Sequence, residues 1–104
     1  MATYVSLVTW TEQGIKNFPD TIRRVREFSR HVERAGGMVR EALWSFGEYD
    51  LVHISQFADD ESAAAASLRL ESAGNVRLRT MRLFDVAETE NIINLAGVPI
   101  EHDS

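Results

Sequence analysis

The stretch Trp44-Ser45-Phe46-Gly47-Glu48-Tyr49-Asp50 decides how this chain folds. It separates two strand-forming runs, Met38 to Trp44 and Leu51 to Phe57. Gly47 tolerates a positive φ without a Cβ clash, which marks a chain reversal between them. Asp50 is expected to turn its carboxylate onto nearby backbone N–H groups and close the turn, with Tyr49 beside it as a turn residue. The result is a β-hairpin with a strand and helix before it and a helix and strand after it.

Upstream, Thr3 to Trp10 is rich in β-branched and aromatic residues and predicts a first strand. Thr11 is placed to cap a helical turn over Glu12 to Phe18. Pro19 breaks it, and a main helix runs on to Ala35 with an apolar stripe of Ile22, Val25, Phe28, Val32 and Ala35. Gly36-Gly37 stops that helix. Downstream, Asp59 or Asp60 caps a helix that continues to Ser72, and its small residues Ala63 to Ala66 let it sit close to a sheet. Val76 to Phe84 reads as a fourth strand. Asp85 to Leu95 reads as a short helix with Val86, Ile92, Ile93 and Leu95 on its apolar side. The order βαββαβ predicts an α+β, ferredoxin-like fold: a four-stranded antiparallel sheet with two helices on one face and a short C-terminal helix. One domain over residues 1–96 and a loose tail over 97–104 account for the 104 residues.

Composition removes several function classes. A net charge of −5 argues against general nucleic-acid binding, which needs a basic surface. No cysteine is present, so disulfides, thiolate nucleophiles and zinc–thiolate sites are excluded; a cytoplasmic protein fits this usage. The N-terminus enters a strand directly, without the pattern of a signal peptide. No apolar run reaches the roughly 20 residues that span a bilayer, so no membrane partner is expected. His31, His53 and His102 are scattered without metal-ligand spacing. Gly-rich phosphate loops, nucleophile elbows and paired-carboxylate motifs are absent, so no metal and no cofactor are expected.

Certain residues carry a resemblance. Tyr4 to Phe18, Gly47-Glu48-Tyr49-Asp50-Leu51-Val52, Asp59-Asp60-Glu61 and Gly74-Asn75-Val76-Arg77 together resemble the GYD-domain family across about residues 3 to 95. That family comprises small bacterial and archaeal proteins placed among the dimeric α/β barrels. The resemblance implies this fold and a homodimer or higher even oligomer, and it implies no catalytic residue.

Strand alternation then frames the candidate sites. Val5, Leu7, Val52 and Ile54 are expected to face the helices. The other face would carry Tyr4, Val8, Trp10, Met38, Ala42, Trp44, Phe46, Leu51 and Phe57, with Ser6, His53 and Ser55 among them. Tyr4, Ser6, Trp10, Trp44, Phe46, His53 and Ser55 are therefore the candidates to bind a small organic ligand; the competing expectation is that they form a packed dimer seam. A face so aromatic calls for a second copy to cover it. His53 is the candidate catalytic base, and it should then be reachable from a cavity; the alternative is a sheet histidine hydrogen-bonded to a neighbour. Arg77, Arg79 and Arg82 are read as a possible anion holder or a charged sheet edge. Three functions follow: a non-catalytic dimer binding a small molecule or a partner protein, a cofactor-free enzyme like the monooxygenases and dehydratases of the dimeric barrel, or a purely structural assembly unit.

Overall fold

The computed structural model describes residues 1–98. Its elements are β1 (Ala2–Trp10), α1 (Glu12–Lys16), a 3-10 turn at Phe18–Asp20, α2 (Thr21–Arg34), β2 (Met38–Trp44), β3 (Leu51–Phe57), α3 (Asp60–Ser72), β4 (Val76–Leu83) and α4 (Val86–Ala96). The four strands lie in the order β2-β3-β1-β4, and every neighbouring pair is antiparallel. This is the ferredoxin-like order that the hairpin and its flanks predict. Most of the expected tail, including His102, lies outside the described residues.

Local chemistry sets the element ends. Thr11 Oγ1 accepts from Gly14 N at 3.1 Å and starts α1. Pro19 opens the 3-10 turn, which separates α1 from α2 as expected. Asp59 caps α3 by accepting from Ser62 N at 2.7 Å. Gly14 lies against the turn joining α3 to β4: an added Cβ would stand 1.9 Å from the carbonyl oxygen of Asn75. Thr11 N donates to that oxygen at 3.0 Å, so α1 and the turn are bound tightly together.

The two sheet faces are the reverse of the sequence expectation. Tyr4, Ser6 and Val8 of β1 and Leu51, His53, Ser55 and Phe57 of β3 are buried under α2 and α3. Val5, Leu7, Val52 and Ile54 lie on the face that neither helix covers. Packing explains the reversal. The core joins Tyr4, Phe28, Val32, Phe57, Ala63 and Ala66, and the alanines bring α3 close to the sheet. The inward row supplies the rings of Tyr4 and Phe57 that fill the space under the alanines, and its buried Ser6 is satisfied by Thr80. A β-bulge between Val39 and Glu41 shifts the alternation of β2. Met38 and Leu43 therefore join the open face, opposite Gln56 and Val52, while Ala42 and Trp44 pair with His53 and Leu51 on the helix side.

The helices also differ from expectation. Phe28 and Val32 of the α2 stripe are buried, but Ile22 is half exposed and Ala35 lies beyond the helix in solvent. The C-terminal helix α4 covers no part of the open face and packs on no other element beyond marginal contact. Its direction is well fixed: Asp85 and Glu88 form a capping box, and Arg82 Nη2 meets Glu88 Oε2 at 2.8 Å. The molecule consequently extends to 54 Å, with a radius of gyration of 16.5 Å. A compact chain of this length would have about 13 Å. No described helix is long and apolar enough to cross a membrane.

Candidate functional site

The residues expected to form one aromatic pocket are distributed over several places. Tyr4 is in the core, edge-on to Phe57 with ring centroids 5.8 Å apart. Trp10 leans on Phe18 at 6.5 Å. Trp44 is partly exposed, and its Nε1 donates to Thr21 Oγ1 at 2.9 Å. Phe46 stands fully in solvent at the hairpin tip. Among the described residues no aromatic seam forms on the open sheet face, because alternation carries these rings to the helix side or to the hairpin end.

His53 is 4 % exposed, and its ring lies 5.2 Å from that of Phe28. The cavity beside it measures about 30 Å3 and is walled by Val8, Val25, Phe28, Leu51 and Leu70. That is room for a water molecule, not for an organic substrate. Neither Nδ1 nor Nε2 has a hydrogen-bond partner among the described residues. Burial alone pushes its pKa down to about 4, so the imidazole is neutral near pH 7. The expectation of a histidine open to a substrate pocket is overturned, and so is that of a neighbour-bonded one. Strand parity placed His53 beside Ser55 and Phe57 correctly; it could not tell which face the helices would take.

A second polar group surrounds Tyr4. Its hydroxyl donates to Asp60 Oδ1, and the Arg82 guanidinium lies 5.7 Å from its ring centroid. Ser6 Oγ and Thr80 Oγ1 share a hydrogen bond of 2.9 Å beside it. Ser55 is buried directly across from Tyr4. Burial, then the bond to Asp60, pushes the Tyr4 pKa up to about 12, so the phenol keeps its proton. In the groove here, about 450 Å3 between α3 and β4, the Tyr4 phenol is held by Asp60 and the Arg82 guanidinium is paired with Glu88 of α4. Sequence reading grouped Arg82 with Arg77 and Arg79, but parity separates them. Arg82 pairs with Tyr4 on the helix face, and Arg79 and Arg77 pair with Leu7 and Thr9 on the open face.

The hairpin end is a structural clip. The Asp50 carboxylate does not close its own turn. Its Oδ2 accepts from Trp10 N at 2.8 Å, the residue's N–H donates to Val8 O at 2.9 Å, and its carbonyl accepts from Ser45 N at 2.9 Å. The carbonyl of Tyr49 accepts from Ser45 Oγ. Gly47 has the expected positive φ, at 156°, and open space around the Cβ position.

Two features lay outside the sequence reading. One is a groove of about 410 Å3 between α2 and α3, into which Arg24, Arg34 and Arg69 converge. Their spacing in sequence gives no hint of it; it arises from the way the two helices pack. The other is the composition of the open face, where Met38, Leu43 and Met81 are 47 %, 61 % and 49 % exposed around the inner row of Val5, Leu7, Val52 and Ile54. Among the described residues no three His, Asp or Glu side chains gather as metal ligands.

Comparison with known proteins agrees with this architecture. The family model described as GYD domain matches residues 4–93. A Thermus thermophilus protein named glutamine synthetase and cystathionine beta-lyase binding protein is 30 % identical over 89 residues, covering 85 % of this chain and 94 % of that protein. The crystal structure of TTHA0845, also from Thermus thermophilus, superposes with a TM-score of 0.54 at 22 % identity, covering 83 % of this chain and 96 % of that one, which supports the fold.

Proposed function

This chain belongs to the GYD family, and from that premise we propose that it is a cytoplasmic, non-catalytic binding protein that dimerises through its open sheet face and engages partner proteins. The observation that carries the reading is the uncovered aliphatic face, where Val5, Leu7, Leu43, Val52, Ile54 and Met81 form a continuous patch. Surfaces of this kind mark protein–protein contacts. Covering it with a second copy gives a closed two-fold pair, the commonest homo-oligomer. The protruding α4 supports the same reading. A helix of 11 residues is marginal alone in water, and Ile92, Ile93 and Leu95 need a surface to pack on.

The relative named for binding glutamine synthetase and cystathionine beta-lyase supports a partner-binding role over an enzymatic one. So do the enclosure of His53 and the proton held on Tyr4, which leave neither poised as a base. The experiment is biolayer interferometry against purified glutamine synthetase and cystathionine beta-lyase from the same organism. Saturable binding to at least one is expected. Absence of binding to both up to about 100 μM, where even a weak specific complex would register, overturns the reading.

A further inference from the structure

We propose that the groove between α2 and α3 binds a small organic anion, a carboxylate or phosphate on an apolar body. The chain as a whole is acidic, at −5, yet this groove collects Arg23, Arg24, Arg34 and Arg69 against a single carboxylate, Glu27. Glu27 is already engaged by Arg23 at 2.9 Å, and Arg23 also reaches Asp20 at 3.4 Å. Arg24, Arg34 and Arg69 form no ion pair among the described residues. The Glu71 carboxylate on α3 is turned away: it accepts from Leu78 N at 3.2 Å and lines the groove by β4. Cations from two helices thus face one gap with no internal counter-charge left over.

The gap has the size and lining of a ligand site. Its volume of about 410 Å3 falls in the range of small-molecule pockets, and Phe28 and Leu70 supply an apolar floor. Arg24 is held in place from behind. Its Nη2 donates to Asn17 O at 3.0 Å, which fixes the guanidinium between the groove and the small cavity beside His53, whose wall Arg24 also forms. A guanidinium so fixed is pre-organised for carboxylate or phosphate, which its planar fork matches. His31 registers the local field: burial, then the charges of Arg69 and Arg34, pushes its pKa below the ordinary value. The inference is independent of sheet-face pairing, because the groove lies on the opposite side of the molecule from the open face.

The test is a nuclear magnetic resonance titration of the full chain with phenyl phosphate, benzoate, inorganic phosphate, benzyl alcohol and a glutamate-rich peptide. Phenyl phosphate or benzoate should give saturable shifts at Arg24, His31, Arg34 and Arg69, and whichever binds tighter identifies the head group. Inorganic phosphate should bind about tenfold more weakly and benzyl alcohol not at all. The double variant R34Q/R69Q, altered only at exposed side chains, should keep its thermal melt and lose about tenfold in affinity. The inference is overturned by an absence of saturable shifts, by shifts confined to the open sheet face, or by equal affinity in the double variant. Inorganic phosphate binding as well as phenyl phosphate also overturns it, as does tighter binding of the peptide, which would assign the groove to an acidic protein segment.

Discussion

Leu7 lies directly across from Val52, on the one sheet face that no helix covers. The pair joins the two inner strands, with Val5 and Ile54 as the next pair along them. In a monomer this aliphatic row meets water. In a face-to-face dimer it would become the centre of the interface, with Met38, Leu43 and Met81 around it.

Enclosure of His53 makes stability depend on pH. Its pKa falls from 6.5 to about 4 on folding, because burial disfavours the charged ring. Between those values the unfolded chain binds a proton that the folded chain refuses. Stability is therefore complete above about pH 6.5, declines as pH falls toward 4, and loses on the order of 3 kcal/mol from this residue. His31, whose pKa is also lowered, adds in the same direction. Urea midpoints measured from pH 4 to 7 should show the slope, and His53→Leu should flatten most of it. An unchanged slope in the variant would mean that the ring is not sequestered.

Gly14→Ala is expected to destabilise the protein by about 1–3 kcal/mol, since the added methyl meets a backbone carbonyl that cannot swing aside. Gly36→Ala, at an open position with φ of 85°, should cost only about 1 kcal/mol. A comparison of thermal melts checks both. Equal melting temperatures would show that α1 does not bear on the turn at Asn75.

Asp50→Ala removes the acceptor for Trp10 N and should cost about 1–3 kcal/mol. The effect should appear at the far end of β1 as faster amide exchange at Trp10, not within the hairpin turn itself. Gly47→Val should cost about 1–3 kcal/mol through its φ alone, as no atom lies near its Cβ position. Local loss confined to residues 45–49 in the Asp50 variant would contradict the clip.

Much of the fold was legible because its signals are local. Thr11, Pro19 and Asp59 act at the ends of helices, and alternation in Thr3 to Trp10 and Leu51 to Phe57 grouped each row correctly. Which row faces inward was not legible from polarity. Val5, Leu7, Val52 and Ile54 are the more apolar set, yet the helix side takes the row whose rings, Tyr4 and Phe57, complete the core with Phe28, Val32, Ala63 and Ala66. The β-bulge beyond Val39 is a tertiary event without a Gly or Pro to announce it. The role of the Asp50 carboxylate is hidden for the same reason: its partner Trp10 is close in space but 40 residues away in sequence. The arginine groove depends on the packing of α2 against α3, which no spacing in the sequence encodes.

Dimerisation through the open sheet face is tested by sedimentation velocity on the wild type and on the double variant L7K/V52K. The wild type should sediment as a particle of twice the 11.7 kDa chain mass at about 10 μM, as expected for a specific interface of ordinary size. The variant should be a folded monomer, because two buried lysines would face two more across the dyad. A monomeric wild type, or a dimer that the two lysines leave intact, would contradict dimerisation through that face.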